Sequence, residues 1–323
     1  MLATIIRRLL IMIPQLLLIS LVAFTLAWLM PGDFVSVNML EDTELTADQI
    51  QGQRDVLGLD DPFYQQYIRW LGSVIRGDFG MSMRHMRPVT SMISERMGNT
   101  FRLSLLSMIM AMGISIPLGI IAGRYSRKWQ DKAITVYGFV GLALPNIVLG
   151  ILFVWLFGIT LQWLPFRGSI NPLVVGTGFV PELLSRLNHL VLPVLSIAVG
   201  AGIGTIYLLK AQIIEGKASD YAMTANAKGV PEKIIFRKHI LRNSLMPFAP
   251  GVGFIFAGLM GGTILIERIF AYPGMGELFL ASVTGRDTNL AIGLVMFYAV
   301  ISVVAILIGD IVVTIVDPRV RIK

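Results

Sequence analysis

The chain has 323 residues, of which 55% are hydrophobic and only 15% charged, with a mean hydropathy of +0.73. That balance belongs to polytopic membrane proteins rather than to soluble globular domains. The absence of cysteine excludes disulfide frameworks, thiol nucleophiles and cysteine metal sites, and the formal net charge is +7.

Six apolar stretches are long enough to cross a bilayer core of about 30 Å. They are Leu9–Met30, Phe101–Gly123, Ile134–Gly158, Leu190–Leu209, Met246–Ile266 and Leu290–Val313. Arg7 and Arg8 precede the first run as they would in a secretory signal. The run is too long for a signal's apolar core, however, and no small-x-small cleavage site closes it, so it is expected to be a retained span. Every lysine falls in residues 123–133, in 209–245 or at the carboxyl end. Those regions, with Arg7, Arg8, Arg319 and Arg321, are therefore expected on the cytoplasmic side. The opposite side is richer in acids, among them Asp33, Glu41, Asp42, Glu44, Asp48, Asp55, Asp60 and Asp61.

The expected fold class is all-α, a six-span membrane protein with a small helical insertion outside the membrane. Residues 1–30 make the cytoplasmic amino terminus and first span, 31–98 the extracytoplasmic insertion, 99–314 the core with its loop at 210–247, and 315–323 a cytoplasmic tail. Within the insertion, Thr46–Leu57 is expected to be helical with Thr46 as N-cap. Pro62–Ile75 carries Phe63, Tyr67, Trp70, Leu71 and Val74 at helical spacing.

Small residues recur four apart inside the spans, at Gly119/Gly123, Gly200/Gly204 and Gly253/Ala257/Gly261. Such spacing lets helix backbones approach closely where lipid supplies no hydrophobic drive for association, so these positions are expected to pack helices. Pro117, Pro145 and Pro193 each remove a backbone donor and can bend their helices. Charges in the spans are few. Asp310 is expected to reach the inner interface or pair with a basic residue, and Arg102 to snorkel from an outer helix end.

The chain is organised around its basic, polar segment at 210–250, KAQIIEGKASDYAMTANAKGVPEKIIFRKHILRNSLMPFAP. Lys210, Lys217, Lys228, Lys233, Arg237, Lys238 and Arg242 stand there against Glu215, Asp220 and Glu232. Tyr221–Lys228 is Ala-rich and helix-forming, and Gly229 can end that helix in the left-handed conformation. Pro231 at the first helical position and Glu232 in the first turn then restart a helix. Three uses fit a helix–turn–helix held at a membrane: an ordinary basic loop on lipid headgroups, a DNA reader, or a docking element. A short loop tied to membrane at both ends is a poor fit to a major groove, so no nucleic-acid partner is expected. The second helix shows two apolar sides, Ile234/Leu241/Leu245 and Ile235/Phe236/Ile240, where a helix resting on lipid needs one. Two faces favour docking, with one toward the spans and one toward a partner.

Between the last two spans, IERIFAYPGMGELFLASVTGRD is too apolar for a solvated loop. Pro273-Gly274 is expected to turn, and Gly276–Val283 to form a short helix. No G-x-x-x-x-G-K-[ST] occurs, and Gly200–Gly204 has no strand before it, so no P-loop is present. H-E-x-x-H and G-x-S-x-G are also absent.

DYAMTANAKGVPEKIIFRKHILRNSLMP resembles the coupling (EAA) loop of ABC-importer permeases, in the form of their dipeptide/oligopeptide/nickel branch. The likeness rests on Asp220, Tyr221, Thr224, Ala225, Ala227, Lys228, Gly229, Arg237, His239, Leu241, Arg242, Asn243 and Pro247. Met223 stands where the general motif has Glu, and Asn226 where the branch often has Arg, so contacts of those two side chains are not carried over. The same branch resembles this chain at Leu57–Asp60, Pro62, Gln66, Tyr67, Trp70, Gly77, Asp78, Gly80 and Ser82. It does so again at Glu267, Ile269, Phe270, Pro273, Gly274, Gly276, Leu278 and Ala281, and in the closing Asp-Pro-Arg-x-Arg. The outer-segment residues are read as folding that segment rather than touching substrate.

The resemblance implies a type I permease in which Asp220, Tyr221, Thr224, Ala225, Ala227, Lys228, Gly229, Glu232 and Arg237 couple to an ATPase. It also implies a second, related permease, two ATPase subunits or domains that carry the ATP and magnesium, and an extracytoplasmic binding protein. This chain itself is expected to bind no cofactor and to catalyse no reaction. Its neighbours are otherwise the lipids of a prokaryotic inner membrane. The competing class is a stand-alone secondary transporter, which needs intramembrane ionisable residues and inverted repeats, and here Asp310 is the one candidate acid. A membrane scaffold is a third. Peptides are the expected cargo, with nickel and oligosaccharides as alternatives in the branch.

Overall fold

The computed structural model describes residues 2–29, 52, 58 and 60–316. The helix expected at Thr46–Leu57, most acids of the insertion, the closing Asp-Pro-Arg and the side chain of Asp310 lie outside the described residues. Among the described residues, five helical stretches are long and apolar enough to cross a membrane: Ile6–Trp28, Val89–Arg124, Phe179–Ala201, Gly251–Ile269 and Thr288–Gly309. Trp129–Ala143 and Asn146–Thr160 are long and apolar enough only as a pair, bent by 95° at the break between them, the geometry of a broken span or a re-entrant loop. The chain divides into two compact units, residues 1–100 with 273–304, and 101–272 with 305–323.

In the first unit, α1 (Leu2–Trp28) packs on α2 (Phe63–Ile75). Phe24 of α1 meets Phe63, Tyr67 and Trp70 at ring-centroid distances of 5.4–5.7 Å, and Ser20 Oγ bonds Tyr67 Oη at 2.9 Å. Phe63, Tyr67 and Trp70 of α2 thus pack, half-buried, on a cluster of Phe24, Ile292 and Met296. A two-residue ladder, β1 (Met81–Ser82) with β2 (Arg87–Pro88), leads into α3 (Val89–Arg124). Ser82 Oγ donates to Asp287 Oδ2 at 2.5 Å, and the same carboxylate accepts the amides of Arg84 and Leu290. The Gly-Asp-x-Gly-x-Ser segment is thus tied by a buried carboxylate to the turn between the two helices that follow residue 273.

Here α3 begins twelve residues before the stretch expected to span. Its first turns are polar, yet their long polar side chains are met within the unit: Glu95 by Arg87, Arg96 by Glu277 at 3.2 Å, and Asn99 by the Pro273 carbonyl at 2.8 Å. A window set on apolar residues alone misses them. Arg102 consequently lies within α3, not at a helix end.

In the second unit, α4 (Trp129–Ala143) and α5 (Asn146–Phe153) replace the single span expected at Ile134–Gly158. Leu144 is extended and Pro145 stands as the N-cap of α5, because proline disfavours the helical conformation in the residue before it and offers no amide. A π-helical turn, Val154–Thr160, continues α5. The expected span Leu190–Leu209 is instead two helices, α6 (Phe179–Ala201) and α7 (Ile203–Lys217), which meet at Gly202. A Cβ at Gly202 overlaps Ser115 Oγ of α3, so a helix junction sits where only glycine fits. Upstream, α6 keeps its helix through Glu182, Arg186 and His189. Glu182 accepts the Gly176 amide at 2.8 Å, and His189 Nδ1 bonds the Ser185 carbonyl at 2.7 Å.

Beyond α7 come α8 (Asp220–Ala227) and α9 (Glu232–Ile234), which passes through a π-helical turn (Ile235–Ile240) into α10 (Leu241–Leu245). Next are α11 (Phe248–Gly262) and α12 (Ile264–Ile269). The chain re-enters the first unit with α13 (Met275–Thr284), whose first amide donates to Thr100 Oγ1 at 2.8 Å, and ends in α14 (Thr288–Val316). The core of the second unit is built from Leu103, Leu190, Leu192, Ile197, Ile266, Phe270 and Tyr272.

Of the small residues at four-residue spacing, some sit at close approaches. A Cβ on Gly119 lies 3.0 Å from Leu209 Cβ, one on Gly123 lies 2.7 Å from Ile213 Cβ, and one on Gly200 lies 2.5 Å from Asn146 Oδ1. A Cβ on Gly253 overlaps the Ala305 carbonyl, and Ala257 is half-buried. Gly204 and Gly261 correct the expectation: a Cβ at either meets nothing within 4 Å, because the periodicity runs on past the faces that meet another helix of this chain.

Candidate functional site

The helix–turn–helix expected from the basic segment is present, and its turn is built from the backbone. Lys228 caps α8, Gly229 takes φ +76°, and two hydrogen bonds close the helix: Gly229 N–H to Asn226 O at 2.9 Å and Val230 N–H to Ala225 O at 3.2 Å. This is the Schellman pairing, and Val230 and Ala225 both pack against a buried apolar cluster. A Cβ on Gly229 meets nothing within 4 Å, so glycine is required here by conformation and not by space. Pro231 stands one residue earlier than expected, as N-cap with φ −56° and ψ 137°, and Glu232 occupies the first turn of α9.

Beneath this turn lies a platform. Leu209 and Ile213 of α7, Ala222 of α8, and Ile235, Phe236, Ile240 and Phe248 form one buried cluster. Leu241 and Leu245 pack half-buried on the same cluster. The two-faced reading of the second helix is thereby corrected. The π turn brings residues five apart into line, so Ile235 with Ile240 and Phe236 with Leu241 share one side. Only Ile234 of that apolar set is turned outward, 48% exposed.

The exposed rim comprises Asp220, Tyr221, Thr224, Ala227, Lys228, Gly229, Glu232 and Arg237, while Ala225 is half-buried against the platform. Met223, at 55% exposure, and Ile234 add apolar surface to a rim that carries the acids Asp220 and Glu232 and the bases Lys228 and Arg237. The structure therefore gathers all nine sequence-predicted residues in one continuous segment, eight of them on its surface.

Side chains of the preceding helices hold this platform in place. Lys217 Nζ donates to the Gly123 and Arg124 carbonyls at 3.0 and 2.7 Å, satisfying acceptors at the end of α3. Burial pushes the Lys217 ammonium below its usual pKa. Glu232 raises it against that effect, and Arg124 and Lys128 lower it further. The Arg124 guanidinium lies 5.1 Å from the Phe236 ring centroid. Lys210 pairs with the buried Asp131 carboxylate, which also accepts the Arg127 amide at 2.9 Å. In the sequence Lys210 and Lys217 stand out only as loop charges, and nothing there links them to Asp131. The one local signal was an acid in the first turn of a helix.

The family model "Binding-protein-dependent transport system inner membrane component" matches residues 115–322, and the corresponding N-terminal model matches residues 1–104. The oligopeptide transport system permease protein AppB of Bacillus subtilis (strain 168) is 36% identical over 99% of this chain and 100% of its own. The glutathione transport system permease protein GsiC of Escherichia coli (strain K12) is 31% identical over the whole of both chains. Among solved structures, an inward-facing form of the MetNI methionine ABC transporter matches 73% of this chain and all of its own, with a TM-score of 0.57 at 14% identity, a likeness of fold. With bent and close-packed spans, and matches that run nearly from end to end, the chain belongs to the inner-membrane permease components of binding-protein-dependent ABC importers.

Proposed function

We propose that this permease forms half of an ATP-driven import pathway for peptides, and that the α8–turn–α9 segment is where a separate ATPase engages it. The observation that carries the reading is a short helix closed by Gly229, exposed along one side and seated on a buried apolar platform along the other. Such an element is rigid enough to transmit a push and presents Tyr221, Met223 and Ile234 as apolar anchors inside a charged rim.

In this scheme the loops rich in lysine, and both termini, face the cytoplasm, while residues 31–98 form an insertion on the other side. A second, homologous permease completes the pathway, and a binding protein delivers cargo. The ATP and magnesium reside on two ATPase subunits or domains, and this chain performs no hydrolysis. ATP and cargo favour different states of the same bundle, which is what coupling requires. Peptides are favoured as cargo because the names of both relatives specify them: oligopeptides for one and glutathione, a tripeptide, for the other.

The test is ATP-dependent uptake of labelled di- to pentapeptides into proteoliposomes that hold the assembled transporter and its binding protein. Peptide uptake that stops without ATP is the expected result. Uptake driven by an ion gradient alone overturns the importer scheme, and ATP-dependent uptake of nickel or oligosaccharide but not peptide overturns the cargo.

A further inference from the structure

Lys210 and Lys217 lie seven residues apart on α7, two turns along one face, and both reach the turn that joins α3 to α4. They hold its two ends. Lys217 Nζ holds the carbonyls of Gly123 and Arg124, where α3 ends. Lys210 Nζ holds Asp131, in the first turn of α4, and approaches Thr135 Oγ1 at 3.5 Å. Asp131 is itself fixed, since it accepts the amide of Arg127, a residue at φ +66°, and the Thr135 hydroxyl at 3.4 Å. A third tie runs from the end of α3 to the second helix of the docking segment, with Arg124 on Phe236. Gly123 lets Ile213 of α7 come within contact of the same place.

We infer that Asp131, Lys210 and Lys217 are positioning residues that fasten the α3–α4 turn to the α7–α10 segment, so that a push on α8 moves the ends of α3 and α4 with it. An ion pair taken out of water is a poor general stabiliser, but it fixes one geometry and is costly to half-break. Here it joins elements distant in sequence and immediately precedes the exposed helix. The inference rests on α8 being the ATPase-coupling element.

The chain has no cysteine, so two can be introduced without removing any. Spin labels at Trp129→Cys and Arg242→Cys, both exposed positions, report the distance between the α3–α4 turn and the docking segment in the assembled transporter. The expected result is a single narrow distance, unchanged within about 2 Å between the nucleotide-free state and the state trapped with ATP and vanadate. Lys210→Met and Asp131→Asn should each broaden it and reduce cargo-stimulated ATPase relative to basal ATPase. Lys210→Arg, and the exchange Asp131→Lys with Lys210→Asp, should restore both. A distance that shifts on trapping in the otherwise native transporter overturns the inference, as does coupling unaltered by Lys210→Met. The first measurement needs no destabilising variant. An assembly whose ATPase is insensitive to cargo and binding protein removes the coupling reading itself, and the inference with it.

Discussion

The Val230 amide donates to the Ala225 carbonyl at 3.2 Å across Gly229, joining the end of one short helix to the start of the next. Because Gly229 holds φ +76° with open space at its Cβ position, substitution there is governed by backbone strain. Gly229→Ala should cost about 1–2 kcal/mol locally, and Gly229→Val more, since a β-branched residue tolerates the left-handed region least. Cargo-stimulated ATPase should fall in that order while membrane insertion, measured by fractionation, stays unchanged. Gly229→Asn should be the mildest replacement.

Ile234 and Phe236 are two residues apart and serve opposite surfaces. Phe236→Ala empties part of the buried platform and should cost about 3–5 kcal/mol, visible as a lower melting temperature in detergent. Ile234→Asp should leave that temperature almost unchanged, as surface substitutions do, yet weaken retention of the ATPase in co-purification.

The glycines divide in the same way. Gly123→Ala places a methyl 2.7 Å from Ile213 Cβ and Gly119→Ala one 3.0 Å from Leu209 Cβ, so each should destabilise by about 1–3 kcal/mol. Gly204→Ala and Gly261→Ala, with open space at Cβ, should not destabilise the isolated chain. Thermal unfolding of the four variants in one detergent separates the two pairs.

Tyr272 is buried, and burial pushes its phenol up to about 12, with nearby Arg102 opposing the shift and Glu267 adding to it. In the unfolded chain a tyrosine ionises near pH 10. The folded state therefore holds a proton that the unfolded state releases between pH 10 and about 12. Its contribution to stability is full below pH 10 and is lost as pH rises through that window, on the order of 3 kcal/mol in all. Phenolate absorbance titrated in detergent should show a late component that Tyr272→Phe diminishes.

Local chemistry made the turn legible in advance: an Ala-rich run, a glycine, then proline followed by an acid, each with one favoured backbone role. Span positions were legible where apolar runs were uninterrupted. They failed at the first turns of α3 and α6, where Glu95, Arg96 and Glu182 find partners that hydropathy does not register. The break at Leu144–Pro145 was legible as a proline but not as a 95° bend, since prolines at 14, 117 and 193 remain inside helices. The π turn has no periodic signature in six residues, so the apolar set was assigned to two sides by the α-helical period. Ser82 with Asp287, and Asp131 with Lys210, are separated by long stretches of chain, and no local pattern announces such pairs.

Co-purification decides whether the exposed side of α8–α9 docks an ATPase. The tagged chain should elute from mild detergent with a second permease and with subunits that hydrolyse ATP. With Ile234→Asp, the second permease should remain while the hydrolysing subunits are lost. A chain that elutes alone and carries cargo down an ion gradient when reconstituted would rule that docking role out.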